Sequence, residues 1–133
     1  MFSDGLPLIV YYEEDTRMAG LSDDLVGLPR GPSGALSTSS IIQDLWSRDL
    51  QHVMVEGGPA TALAFLRDRT IDRAVLIFAP LTFNEPYASK MDETILQQSG
   101  LEKLGQFECD GDRVECWSRP GLAWPTDRLE DWP

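Results

Sequence analysis

The sequence is poor in the residues that build nucleic-acid, metal and disulfide sites. In 133 residues it has one histidine and two cysteines, and 22 acidic residues outnumber 11 basic ones, for a formal charge of −11. A surface this acidic repels phosphate backbones, so we expect no nucleic-acid partner. No apolar run approaches the ~20 residues that span a bilayer, so we also expect no membrane partner.

The N-terminal residues lack the features of a targeting peptide. MFSDGLPLIVYYEED has neither the basic start and cleavage site of a secretory signal nor the arginines of a transit peptide. A transit peptide would be absent after processing. We therefore expect the protein in the cytoplasm or, after processing, inside an organelle. The length predicts one globular domain over residues 1–120, followed by a Pro/Trp-rich tail over 121–133.

Both cysteines lie in FECDGDRVECW, where Asp110-Gly111 between two alternating runs predicts a β-hairpin turn. The strand pairs that follow from this turn are Cys109–Asp112, Glu108–Arg113, Phe107–Val114 and Gly105–Cys116. Because the two cysteines do not oppose each other, a disulfide is disfavoured. We interpret them as reduced core thiols of an intracellular protein rather than as redox or metal ligands, and we expect no metal site.

The remaining pattern predicts an α/β protein. Apolar runs predict strands over 7–12, 52–56 and 73–79, which we expect to lie in one sheet. The last run is continuous enough to be buried on both faces. Helices are predicted over 39–49, with N-cap candidates in Ser37 to Ser40, and over 59–68. Residues 19–38 are rich in glycine and proline, which predicts a connection with little regular structure. A polar stretch over 84–100 leads to the hairpin.

The stretch VMVEGGPATALAFL places two glycines and a proline between a strand and a helix. Gly57 and Gly58 permit a sharp turn and a close approach of ligand to backbone, and Pro59 fits the first helical position. The helix start offers N–H groups at Ala60 and Thr61 that could hold a phosphate without a lysine. The alternative is a tight strand-to-helix turn with no ligand.

Glu56 ends the strand that feeds this turn. Open α/β sheets bind ligands at the carboxyl ends of their strands, so Glu56 is a candidate acceptor for the hydroxyls of a ligand. Alternatively, its carboxylate caps the backbone N–H groups of the helix that follows.

The run IIQDLWSRDLQHVMVEGGPATALAFLRDRTIDRAVLIFAP resembles the C-terminal reductase domain of bacterial bifunctional deaminase–reductases of riboflavin biosynthesis. The shared features are a strand ending in VEGGP, a helix ending in FL, and a strand that closes in AP. Weaker similarity extends the resemblance to about residues 6–120. It implies a dihydrofolate-reductase-like three-layer sandwich with a central, mainly parallel sheet and a C-terminal antiparallel hairpin. Here the sandwich would be partial.

The resemblance also implies a cofactor and a substrate. The family uses NADPH to reduce the ribosylamino group of a phosphorylated aminopyrimidine. Carried over by position, Gly57 and Gly58 match the family's glycines that lie against the cofactor phosphates. Pro59, Ala60 and Thr61 match the start of the helix that follows. Glu56 matches the acidic residue that faces the sugar of the substrate.

The sequence departs from the family in two places. The family's N-terminal strand with a Ser-x-Asp-Gly motif is not found, since Ser3-Asp4-Gly5 has neither the spacing nor the strand before it. After AP, the family's Gly-Gly turn near the nicotinamide is replaced by LTFNEPYAS. No catalytic residue is therefore assigned. The candidates for a cofactor 2′-phosphate are Arg17, Arg30 and Arg48, and we favour a solvated surface charge for each of them.

Two functions remain open from the sequence. One is an NADPH-dependent reductase domain that is incomplete alone and acts with a polypeptide carrying the missing N-terminal half, or as a homo-oligomer. The other is a non-catalytic nucleotide-binding or interaction subunit on the same fold. The glycine turn is common to both, so it does not separate them.

Overall fold

The structure, a computed structural model, describes residues 7–16, 24–31, 34–80, 91–122 and 124. The chain divides into two compact units, Met1–Val53 and Met54–Pro133. Both contain helices and strands, which confirms the α/β class. The boundary predicted between residues 120 and 121 stays a prediction, because most of the tail lies outside the described residues.

The first unit contains a two-stranded parallel sheet and one helix. Strand β1 (Ile9–Glu13) pairs in parallel with β2 (Asp24–Leu28). Helix α1 (Thr38–Ser47) begins after Ser37, whose hydroxyl accepts a hydrogen bond from the Ser40 N–H at 3.2 Å. The helix and its cap are confirmed, whereas the connection predicted over 19–38 to have little regular structure contains strand β2.

A hydrogen-bonded cluster ties the three elements of this unit together. The Tyr11 hydroxyl donates to Asp44 Oδ2 at 2.8 Å, and Arg48 Nε lies 2.7 Å from the same oxygen. Arg48 also pairs with Asp24 on β2. Burial and the Asp44 carboxylate raise the pKa of Tyr11 to about 12. The hydrogen bonds from Tyr11 and then Arg48 lower the pKa of Asp44.

Residues 52–56 do not form the predicted strand. Among the described residues, no backbone hydrogen bond joins residues 51–57 to another strand or turn. The apolar side chains of Val53 and Met54 are 44% and 80% exposed. An apolar, β-branched run forms a strand only where a neighbour accepts its ladder of hydrogen bonds, and no described strand does so.

The second unit contains two helices and a three-stranded antiparallel sheet. Its elements are α2 (Pro59–Arg67), β3 (Arg73–Phe78), α3 (Glu93–Gln98), β4 (Glu102–Cys109) and β5 (Asp112–Ser118). The strand order is β3-β5-β4. Helix α2 is confirmed within a residue, but α3 lies in the stretch that was predicted only as a polar lead to the hairpin. The predicted single sheet of three strands is wrong, since β1 and β3 lie in different sheets.

The C-terminal hairpin has the predicted register. Cys109 opposes Asp112, Phe107 opposes Val114 and Gly105 opposes Cys116. Both cysteines are free, as predicted, but Cys109 is exposed and so is not a core thiol. Burial raises the pKa of the Cys116 thiol.

One face of this sheet carries the core. Leu66, Leu96, Leu101 and Trp117 form the buried cluster, and Ala74 and Leu76 of β3 pack against it. The alternate residues of β3, Val75 and Ile77, are 47% and 64% exposed. The prediction that this strand is buried on both faces is therefore wrong. The described strand has the alternating burial of an antiparallel sheet with one covered face.

A carboxylate is buried on the core face. Glu115 is 1% exposed, and its Oε1 lies 2.8 Å from Lys103 Nζ and 3.5 Å from Arg113 Nε. Trp117 Nε1 donates to the other oxygen at 3.3 Å. The hydrogen bond from Lys103 is the main cause that lowers the pKa of Glu115. The same hydrogen bond is the main cause that raises the pKa of Lys103.

Among the residues that the structure describes, no helix has the length and apolar character needed to cross a membrane. No cluster of metal-ligating side chains occurs among them either.

Candidate functional site

The Gly57-Gly58 turn leads directly into helix α2. Gly58 is the N-cap residue, with φ −59° and ψ 175°, and Pro59 stands at the first helical position, as predicted. Proline suits this position because its missing N–H would have no partner inside the helix and its ring holds φ near the helical value. No side chain caps the helix start.

The first turn of helix α2 uses some of its backbone donors and leaves the Ala60 N–H unused among the described residues. The N–H of Thr61 donates to the Gly58 carbonyl at 3.0 Å, and the N–H of Ala62 donates to the same oxygen at 3.2 Å. The N–H of Ala60 has no partner among the described residues. The expectation of open N–H groups at both Ala60 and Thr61 is therefore correct for Ala60 and wrong for Thr61, where the first turn tightens onto Gly58.

The two glycines have different surroundings. A Cβ placed on Gly57 would lie 2.6–2.9 Å from the side-chain atoms of Thr61. A Cβ on Gly58 would have no described atom within 4 Å. Gly57 is thus required by the packing of the turn itself, whereas nothing in the described protein requires glycine at 58. An approaching ligand would account for that absence of a side chain.

Glu56 lies next to this turn with a free carboxylate. The residue is exposed, and it makes no hydrogen bond or ion pair with any described residue. The alternative role, capping helix α2, does not occur, because the helix has no side-chain cap. The carboxylate therefore remains available to accept hydrogen bonds from a ligand.

The arginines considered for a cofactor 2′-phosphate are already engaged. Arg30 pairs with Glu13, and Arg48 pairs with both Asp24 and Asp44. Arg17 lies outside the described residues, as do Ser3-Asp4-Gly5 and the LTFNEPYAS segment. No arginine of the described part is assigned to a 2′-phosphate.

The turn places a candidate anion contact and a candidate acceptor for ligand hydroxyls at neighbouring points. The free Ala60 N–H and the positive end of the helix macrodipole favour negative charge by ~0.3–1 kcal/mol. The Glu56 carboxylate offers a hydrogen-bond acceptor shortly before Ala60 in the sequence. Such a site is too weak to hold a phosphate tightly by itself, so further contacts must come from the rest of a bound molecule.

Comparison with known protein families matches most of this chain to a family model. The model of the RibD C-terminal domain family matches residues 6–109, which include Glu56 and the glycine turn. The resemblance identified in the sequence is thereby confirmed, and the α/β elements fit a partial dihydrofolate-reductase-like fold. We expected the family assignment to fail if strands 52–56 and 73–79 did not lie in the same sheet. That condition is wrong, because the structure has no strand at 52–56 and the family model still matches. A search of curated proteins finds no significant match.

Proposed function

We propose that this chain, which belongs to the RibD C-terminal domain family, is an NADPH-dependent reductase domain of riboflavin biosynthesis. Its substrate would be 5-amino-6-(5-phosphoribosylamino)uracil, whose ribosylamino group is reduced to a ribitylamino chain. The observation that carries the proposal is one turn in which, among the described residues, the space beside Gly58 is open and neither the Ala60 N–H nor the Glu56 carboxylate has a partner.

Each feature of the turn has a role in this proposal. The pyrophosphate of NADPH would lie against Gly57 and Gly58 and accept a hydrogen bond from Ala60. Pro59 fixes the start of helix α2, and Thr61 closes its first turn through Gly58. Glu56 would accept hydrogen bonds from the substrate sugar and so orient it. NADPH, when bound, supplies the hydride.

The reaction also needs a group that manages the proton at the sugar oxygen. No described residue near the turn is assigned this role. We propose that a polypeptide with the family's N-terminal half supplies this proton-handling group. The alternative source is a second copy of this chain. The unpaired backbone over 51–57 and the exposed Val53 and Met54 support a partner at this segment, because an unpaired apolar run is a site for strand addition.

Reconstitution tests the proposal. The chain alone should bind NADPH weakly and turn over no substrate, and adding the family's N-terminal half should start substrate-dependent NADPH oxidation. Full turnover by the chain alone would show that its own residues complete the site. Absence of oxidation in a stable complex would refute the reductase activity.

Glu56→Gln is the matched variant, because it removes the charge facing the sugar and keeps the shape of the turn. We expect it to lower the reconstituted rate while the affinity for NADPH stays the same. Nucleotide binding without turnover in every mixture would favour the second function, a non-catalytic nucleotide-binding subunit. The exposed Val75 and Ile77 on the open face of the sheet are compatible with that role.

A further inference from the structure

A cavity lies at the opposite end of helix α2 from the glycine turn, between the last turns of α2 and α3. Its volume is about 320 Å³, within the range of small-molecule sites. Apolar side chains and polar groups both line it: Leu63, Leu66, Ile95, Arg67, Arg69, Gln98 and Ser99. The aliphatic residues provide an apolar wall, and the two arginines place positive charge beside it.

These two arginines differ from four other arginines of the described chain. Arg67 and Arg69 are exposed and have no carboxylate partner among the described residues. The four others are held in ion pairs: Arg30, Arg48, Arg113 and Arg119. In a chain with a formal charge of −11, Arg67 and Arg69 place two cations beside one cavity. The local charge therefore favours an anion.

The backbone at Arg69 adds an independent observation. Helices α2 and α3 end in the same hydrogen-bond pattern, in which Thr70 N–H reaches Phe65 O and Leu101 N–H reaches Leu96 O. This pattern requires a left-handed residue just before the donor. Helix α3 uses Gly100, with φ 89°, whereas α2 uses Arg69, with φ 56°. Helix α1 ends in the same pattern at Asp49, with φ 64°. Glycine adopts this conformation without steric cost, and aspartate tolerates it better than arginine does. An arginine at such a position is consistent with a use for its side chain.

Local structure accounts for only a small part of that use. The guanidinium of Arg69 makes one long hydrogen bond, 3.4 Å to the Gln98 carbonyl. In the last turns of the two helices, the carbonyls of Phe65, Leu66, Leu96 and Gln97 already accept hydrogen bonds from backbone N–H groups. These four carbonyls are therefore satisfied without either arginine, whereas the Gln98 carbonyl accepts from Arg69. Among the described residues, most of the donor capacity of both guanidiniums is free.

We propose that this cavity binds a small organic carboxylate. The apolar part of the ligand lies against Leu63, Leu66 and Ile95, and its carboxylate accepts hydrogen bonds from Arg67 and Arg69. Guanidinium groups match carboxylates in charge and in donor geometry, which favours this class over neutral ligands. The site is separate from the glycine turn and does not depend on the reductase activity.

Titration with 2-naphthoate, followed by ¹H–¹⁵N NMR of the full chain, tests the site. We expect saturable shifts confined to residues 63–70 and 95–99. The neutral analogue 2-naphthamide should bind at least fivefold more weakly, because it keeps the ring and lacks the charge. Absence of saturable shifts, shifts centred on Val75 and Ile77, or equal affinity for the amide would each overturn the proposal.

Arg69→Gly is the sharpest variant, since glycine suits the backbone at this position and the fold should be kept or stabilised. We expect it, and Arg67→Gln separately, to weaken 2-naphthoate binding at least fivefold. Arg30→Gln changes the net charge equally but lies outside the cavity, and it should bind as the wild type does. Wild-type affinity in a folded Arg69→Gly protein, or an equal loss in Arg30→Gln, would contradict the assignment.

Discussion

Gly57 and Gly58 are adjacent in sequence, yet the structure gives them different tasks. The sequence predicts both as part of a ligand-binding turn from their residue type alone. Their surroundings separate them, because Thr61 fills the space beside Gly57 while the space beside Gly58 is open. Such a distinction depends on how the first turn of helix α2 closes, and residue type does not show it.

Alanine at each glycine tests this difference. Gly57→Ala should lower the free energy of unfolding by about 1–3 kcal/mol, since its methyl group would overlap the Thr61 side chain. Gly58→Ala should change it by no more than about 0.5 kcal/mol. Urea unfolding at neutral pH measures both. Equal stability of the two variants would mean that the turn relaxes around Gly57.

Glu115 is the second residue whose position was not predictable. Its neighbours in sequence suggest an exposed face of the hairpin, but β4 and β3 flank β5 and bury it beside Lys103. Glu115→Gln keeps the shape and removes the charge. We expect a loss of about 1–3 kcal/mol at pH 7, because the charge-assisted hydrogen bonds weaken.

The pH dependence of this loss has a defined sign. Since the pKa of Glu115 is lowered on folding, its ionised form stabilises the protein above its ordinary pKa of about 4.3. That contribution disappears as the pH falls through the folded pKa. Urea unfolding of the wild type and of Glu115→Gln should therefore differ at pH 7 and converge in acid. A difference that persists at the lowest pH would rule out the charge as its cause.

At the scale of elements, the features with local signals were predictable. The Asp110-Gly111 turn fixed the hairpin register, and Ser37 and Pro59 marked the starts of α1 and α2. Strand β2 contains a glycine, which weakens its strand signal, and α3 is only six residues long, too short to show a helical repeat of apolar residues. Neither element was therefore predicted. The apolar run over 52–56 had a strong strand signal, but strand formation depends on a partner that a local pattern does not reveal.

Helix α3 is so short that its cap should matter. Asp92 accepts a hydrogen bond from the Ile95 N–H at 3.1 Å. Asp92→Ala removes this acceptor and should lower the free energy of unfolding by about 0.5–2 kcal/mol, whereas Asp92→Asn keeps a capping oxygen and should cost less. Thermal or urea unfolding compares them. If both variants lose the same stability, the negative charge rather than the cap is what counts at this position.

At the scale of the whole molecule, family membership was predictable and the details of the site were only partly so. The VEGGP sequence and its flanking segments identified the family, and the structure confirmed the helix start at Pro59. The roles of Gly57, Gly58 and Glu56 stay predictions. The cavity beside Arg67 and Arg69 had no signal in the sequence. A left-handed arginine and the absence of ion pairs are properties of the folded chain only.

The acidic charge of the molecule also bears on the proposed cofactor. With a formal charge of −11, long-range attraction of a dinucleotide is unfavourable, so binding must depend on direct contacts at the turn. The affinity of the chain alone should therefore be low, and it should improve as salt screens the repulsion. The proposed partner would add contacts that this chain lacks.

The central claim is that the Gly57-Gly58 turn seats the phosphates of NADPH, and a fluorescence titration of NADPH tests it most directly. Gly58→Val should fold normally, because the space beside Gly58 is open, and should bind NADPH at least about tenfold more weakly than the wild type. Gly105→Val, at another glycine with open space, is the control and should bind as the wild type does. Unchanged affinity in folded Gly58→Val, or an equal loss in Gly105→Val, would contradict the claim.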